Sequence, residues 1–260
     1  MNTRRIAALL SSLLLAAGCA TTTTTRTLPT LDEQLHHINS VVIAPPRVEI
    51  EYVTLTGENE RKTEQEESIR AQLVSIAEGA LTAHGYEIVE FDFDSAMEND
   101  EEFAYTVTQI REGFDNAKED LKFGKPIAEE KAKNLKISLG EAASIVAAES
   151  GADAILLIRY SGFDKSDGYV AKDVGTSVLV AVLSMGSVLM TSPTSGAITE
   201  VALIDGITGE LLWADVKGGF LNATPAIHAM GTLPDDVDPV AEKAQSGQAE
   251  SEFHDTATGS

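Results

Sequence analysis

The chain has 260 residues, with 41 acids against 19 bases, giving a net charge of −22 and a pI near 4.5. Hydrophobic residues make up 43% and charged residues 23%, so a core can form, one or two domains fit, and wholesale disorder is excluded. The acidity repels phosphate backbones, so no nucleic-acid partner is expected; the single cysteine excludes an internal disulfide framework and any Cys-based zinc cluster.

Residues 1–18 have the layout of an export signal: Arg4 and Arg5, an apolar core from Ile6 to Ala17, then small residues. The apolar run is too short for a membrane span. Leu15-Ala16-Ala17-Gly18-Cys19 has the form of a bacterial lipobox, which makes Cys19 the expected lipidation site and the mature N-terminus. Ala20 after the cysteine, in place of Asp, points to the periplasmic side of the outer membrane in a Gram-negative host. Without Arg4 and Arg5, 17 bases face 41 acids, so the mature chain carries −24. Thr21 to Pro29 is polar and of low complexity, and residues 19–37 are expected to be a lipidated cysteine followed by a tether.

Thr30 and Glu33 have capping-box spacing, and Leu31, Leu35 and Ile38 predict a short helix. Val41 to Ala44, closed by Pro45-Pro46, reads as a buried strand; Val48, Ile50 and Tyr52 alternate as an edge strand would. A helix is expected from about Thr63, with Glu66 completing a capping box, to His84 before Gly85; Ile69, Leu73, Ile76 and Ala80 would line one face. Tyr86 to Phe91 reads as a strand. From Glu98 to Leu121 the stripe Phe103, Val107, Ile110, Phe114, Ala117 and Leu121 predicts a helix with a core-facing side. Ser138 and Glu141 open a further helix ending near Gly151, and Ala154 to Ile158 has the unbroken apolar character of a central strand. Ala197 to Ile204 and Glu210 to Val216 form an expected hairpin turned by Asp205 to Gly209, with Trp213 packed on the sheet. Beyond Pro234 no periodicity survives, which reads as a disordered acidic tail. The order predicts an α/β fold: a mixed sheet with helices packed on it and a C-terminal antiparallel hairpin.

Residues 174–199 carry no charge, and 177–190 are almost wholly apolar. Length alone admits a membrane span, but a simple span would put the hairpin across the bilayer from its own sheet. A buried crossover helix is the first reading, and a contact with a partner or a second copy is the next. In the latter case Val178, Val182, Met185 and Leu189 would form the interaction surface.

The search for chemistry leaves no catalytic residue, no cofactor and no metal site assigned. Gly-x-Ser-x-Gly, His-Glu-x-x-His, Walker and Gly-x-Gly-x-x-Gly patterns are all missing from the sequence. His36, His37, His84, His228 and His254 are scattered, with His84 placed to complement a helix C-terminus. Asp92, Asp94, Glu98 and Asp100 are dense enough to consider for calcium, but lack the EF-hand spacing and its glycine; they read as a solvated loop. Asp164 to Gly168 reads as a turn. Lys122, Lys125, Lys131, Lys133 and Lys136, interleaved with Glu129 and Glu130, form the basic cluster of the chain and read as internal counter-charge in preference to an anionic-lipid contact.

INSVVIAPP at 38–46, SGADAILLIRYSGF at 150–163 and VALIDGITGELLW at 201–213 together resemble envelope lipoproteins of the CsgG/LpoB type and their small relatives. The resemblance implies a fold similar to the N-terminal domain of TolB over one α/β domain at 38–220, with 221–260 as loop and tail. It imports no catalytic residue. The function it implies is that of an outer-membrane-anchored periplasmic lipoprotein, a non-enzymatic accessory or assembly module. Its partners would be the membrane, through the lipid, and an envelope protein or a second copy. The alternatives are an oligomeric export-channel subunit of CsgG type, or a hydrolase with an unrecognised site. The acidity is concentrated: residues 87–102 hold eight acids and no base, and 235–255 hold seven acids and one base. That pattern favours solubility and repulsion from anionic surfaces.

Overall fold

The computed structural model describes residues 22–54, 60–121, 127–166 and 194–236. Cys19, the signal, the acidic tail from 237, and Val178, Val182, Met185 and Leu189 all lie outside the described residues.

Helices cover both faces of one mixed sheet, as the predicted α/β class requires. In chain order the strands are Thr22–Thr23 (β1), Arg26–Thr27 (β2), Ser40–Ile43 (β3), Arg47–Val53 (β4), Glu60–Arg61 (β5), Glu87–Val89 (β6), Ile127–Ala128 (β7), Ala154–Lys165 (β8), Ser195–Asp205 (β9) and Leu211–Gly219 (β10). The helices are Leu31–Leu35 (α1), Thr63–Ala83 (α2), Phe93–Asn99 (α3), Glu101–Leu121 (α4), Glu129–Ala132 (α5), Glu141–Ser150 (α6) and Thr224–Met230 (α7). The main sheet runs β2-β10-β9-β8-β3-β6, while β1 and β7 form a separate ribbon. The strands β6, β3 and β8 are parallel; β8, β9, β10 and β2 alternate in direction.

The prolines after β3 decide an important detail. Pro45-Pro46 cannot donate to a ladder, so β3 stops, and the chain resumes as β4 farther along the same neighbour. Val41–Ile43 pairs with Ala154–Leu156, and Arg47–Val53 pairs with Arg159–Lys165. The strand β4 thus lies between β8 and the two-residue β5, rather than as a bare edge.

Side-chain alternation along β8 sorts the core into two halves. Ala154, Leu156, Ile158 and Tyr160 face α2 and α7; Ile155 and Leu157 face α4 and α6. On β10 a register irregularity between Leu211 and Trp213 lets Leu212 and Trp213 both enter the first half, with Trp213 fully buried. The stripe expected on the second long helix is all buried: Phe103, Val107, Ile110, Phe114, Ala117 and Leu121. Its start differs, because Asp100 leaves helical geometry and divides α3 from α4. On α2 the buried face is Ile69, Leu73, Ala77 and Leu81, turned by one residue from the expected Ile76 and Ala80, which are partly buried.

Both ends of the sheet domain extend past the expected 38–220. The residues expected to be tether are built into the sheet. Arg26–Thr27 pairs with β10, the Leu28 N–H donates to the Leu212 carbonyl at 2.8 Å, and Leu28 is buried. The physical reason is the open side of β10, whose backbone groups need partners. At the other end α7 buries Ala226, Ala229 and Met230 in a segment expected to be loop. The fully buried Asp215 carboxylate ties both ends, accepting from the Thr24 and Thr232 hydroxyls at 2.7 Å each and from Lys217 Nζ at 2.9 Å.

Candidate functional site

The parallel strands leave a cleft beyond their carboxyl ends, the place where open α/β sheets characteristically take ligands. After β3 the chain turns through Pro45-Pro46; after β6 it enters α3, whose Asp94 and Met97 face the same space. The cleft encloses about 450 Å³, and its walls carry Arg47, Arg61, Arg70 and Arg111 alongside Glu49 and Asp94. Arg159 adjoins it in a neighbouring pocket of about 20 Å³, which it shares with Arg47, Arg111 and Asp115 and which has room for a single water. Beyond the export signal the chain has six arginines, and these are five of them.

The five differ in how they are neutralised. Arg47 Nε and Nη2 donate to Glu49 Oε1 at 2.9 and 2.8 Å, and its Nη1 lies 2.7 Å from Asp115 Oδ2. Those bonds to Glu49 lead the effects that hold the Arg47 guanidinium above its ordinary pKa. Arg159 Nη1 sits 3.2 Å from Glu200 Oε2 and 3.4 Å from Asp115 Oδ1, so Asp115 bridges two arginines. Burial raises the Glu200 carboxyl above the usual range, and the attraction of Arg159 opposes this only in part.

Arg61 clamps Glu66 through Nε at 3.0 Å and Nη2 at 2.8 Å, while Glu66 Oε1 also accepts the Ile50 N–H at 2.9 Å. Sequence spacing places Glu66 in a capping box with Thr63. Thr63 is instead the first helical residue, and Glu66 turns inward to pin α2 to β4.

Arg70 and Arg111 are the unbalanced pair. Arg111 Nη2 donates to the Pro45 carbonyl at 3.0 Å, and Arg70 Nε to the Pro46 carbonyl at 3.3 Å. Neither forms an ion pair among the described residues. Burial, followed by repulsion from Arg47 and Arg70, lowers the Arg111 pKa. Two guanidiniums thus hold the Pro45-Pro46 turn by its carbonyls while presenting charge to the cleft. An anionic group entering there would find planar donors matched to a carboxylate or a phosphate.

The acidic residues considered for calcium do other work. Asp92 Oδ1 accepts the Ser95 N–H at 3.0 Å and caps α3; Asp100 Oδ1 accepts the N–H groups of Glu102 and Phe103 at 2.9 and 3.1 Å and caps α4. Asp94 joins the arginine cleft, and Glu98 is exposed. No group of three or more potential metal ligands occurs among the described residues. His84 Nδ1 lies 2.7 Å from Asp235 Oδ1 at the C-terminus of α2. Asp164 pairs with Lys62 at 2.6 Å. Lys131, Lys133 and Lys136 are exposed; the side chains of Glu129 and Glu130, with which the counter-charge reading would pair them, and Lys122 and Lys125 lie outside what the structure describes.

The sequence motifs assemble at the opposite end of β8. Asp153 Oδ2 accepts the Asn39 and Ser40 N–H groups and the Ser40 hydroxyl at 3.1, 2.9 and 2.8 Å. Asp205 Oδ1 accepts the Ile207 and Thr208 N–H groups at 2.7 and 2.8 Å, closing the hairpin turn. These residues are joints of the fold rather than a site.

No family model and no curated protein matches the chain. Among solved structures, the lipoprotein GNA1162 from Neisseria meningitidis is 12% identical, with 85% of this chain and 99% of that chain covered and a TM-score of 0.29. PelC from Paraburkholderia phytofirmans, a dodecamer, is 12% identical over 82% of this chain and 93% of that one, with a TM-score of 0.28. The C-terminal domain of LpoB from Salmonella enterica is 15% identical over 74% and 93%, with a TM-score of 0.24. Likenesses this distant carry no functional inference, so the site speaks through its own residues.

Proposed function

We propose that the protein is a lipid-anchored lipoprotein of the bacterial envelope, held at the outer membrane through Cys19. It works as a non-catalytic accessory module that grips an acidic segment of a partner protein. The observation that carries the binding role is the convergence of Arg47, Arg61, Arg70 and Arg111 on one cleft in a chain with more than twice as many acids as bases. The anchor rests on the lipobox around Cys19.

The lining residues favour binding over chemistry. Among the described residues they are guanidiniums, two carboxylates, prolines, Val48 and Met97, with no hydroxyl, thiol or imidazole to act as nucleophile. A carboxylate-bearing protein segment fits better than nucleic acid, because the −22 charge opposes approach of a polyphosphate. Arg70 and Arg111 are the residues assigned to the partner, since Arg47 and Arg61 already hold carboxylates of this chain.

A photo-crosslinking residue in place of the half-buried Met97, activated in living cells, tests the reading. A discrete crosslinked protein is expected with the arginines intact, and its loss is expected in Arg70→Ala/Arg111→Ala protein that still unfolds cooperatively. An unchanged crosslink in the double variant would refute the cleft as the binding site. A crosslink to a second copy would replace the partner by self-association.

A further inference from the structure

The acidic character of this protein is polarised across the sheet, and the polarity bears on how the anchored domain meets its membrane. Strand β6 and helix α3, with the eight acids of 87–102, occupy one edge; β2 occupies the other. Five strand spacings separate β2 from β6, roughly 24 Å. Beside β2 lies a cleft of about 470 Å³ lined by Arg26, Lys131, Asn134 and Lys136 together with the apolar Leu135 and Ile137. Lys133, between them in sequence, is exposed as well.

The N-terminal chain fixes which edge faces the anchor. Thr22 and Thr23 pair with Ala128 and Ile127, directly before the helix that carries Lys131. Cys19 precedes Thr22 by three residues, so at most about 11 Å of chain separates a lipid on Cys19 from this ribbon. A tether that short cannot let the domain stand away from the bilayer or turn its acidic edge toward it.

We propose that the basic edge of the domain, Lys131, Lys133 and Lys136 around the Arg26 cleft, lies directly on the anionic phospholipid headgroups of the bilayer that holds the anchor. The proposal rests on lipidation of Cys19. Charge complementarity selects the occupant: the segment 127–137 has three lysines against Glu129 and Glu130, while the segment 87–102 has eight acids and no base of its own, the arginines near it being gathered in the cleft beyond β3 and β6. Anionic lipid therefore attracts one edge and repels the other, and the two forces set the same orientation. The arginine cleft, formed beyond β3 and β6, is then carried on the side away from the lipid, open to a periplasmic partner.

The test uses the full-length protein purified from envelopes, with its acyl groups verified by intact mass. It is reconstituted into vesicles of phosphatidylcholine alone or of phosphatidylcholine mixed with phosphatidylglycerol. Amide exchange across 127–137 is expected to be about fivefold slower in the anionic vesicles, a gain abolished by molar salt. The Lys131→Gln/Lys133→Gln/Lys136→Gln protein, equally acylated, is expected to exchange at one rate in both. Acylated wild type with equal exchange in the two vesicle types, or a triple variant protected as well as wild type, overturns the orientation alone. Absence of acyl mass overturns the anchor and this proposal with it.

Discussion

Gly206 shows how closely two distant stretches of chain approach at the motif end of the sheet. A Cβ there would lie 2.5 Å from the Ala147 Cβ and 2.6 Å from the Asp153 carbonyl oxygen. That proximity lets the Gly206 N–H donate to the Asp153 carbonyl at 2.8 Å and lock the hairpin to the entry of β8. Gly206→Ala is expected to cost about 1–3 kcal/mol in urea unfolding, whereas Gly79→Ala, mid-helix with nothing within 4 Å of the new methyl, is expected to gain about 0.5–1 kcal/mol. Glu200 gives a pH signature. Its folded pKa is raised, so its contribution to stability is full below the ordinary carboxylate value and is lost as pH rises through the folded one. The melting temperature of Glu200→Gln relative to wild type is therefore expected to be higher at neutral pH than near pH 4; a difference that stays flat across that range would contradict the assignment. The turn residues were readable from the sequence because Asp205 and its glycines act on their immediate neighbours. The arginine cleft was not, because Arg111 meets Pro45 across 66 positions and only the sheet topology joins them.

Local pattern and tertiary context contribute differently to the elements. On α4 the stripe of Phe103, Val107, Ile110, Phe114, Ala117 and Leu121 is fully legible, since residues three and four apart share a helix face regardless of what covers it. Phe114→Ala, which empties a ring-sized volume beneath Arg47 and Arg159, is expected to cost about 3–5 kcal/mol by thermal or urea denaturation. A loss below 1 kcal/mol would mean that the helix does not pack as described. The buried face of α2 is turned because Glu66 and Leu81 are needed inside, Glu66 for the Ile50 N–H. Such a polar anchor has no periodic signature. The break at Asp100 was equally hidden, since the acids around it look alike and only Asp92 and Asp100 receive backbone N–H groups. The short α7 has no legible period because its four buried positions lie in a segment of seven residues.

At the scale of the molecule, the N-terminal segment is the outer strand of the sheet rather than a spacer. Deleting residues 22–29 strips β10 of Arg26, Thr27 and Leu28 and leaves its edge open. The truncated protein is expected to lose cooperative unfolding and to self-associate in light scattering; an unchanged melting curve with a monodisperse monomer would restore the tether. Low complexity in threonines concealed this role, since backbone pairing needs no side-chain pattern. The same arrangement gives the anchor its mechanical meaning: a lipid on Cys19 would pull on a strand of the core, not on a loose linker. No helix among the described residues is long and apolar enough to cross a membrane. The proposed envelope role stands on attachment through Cys19. Labelling cells with radioactive palmitate tests it most directly. The wild-type protein is expected to incorporate label and Cys19→Ala to incorporate none; label missing from wild type, or equal in the variant, would contradict the account.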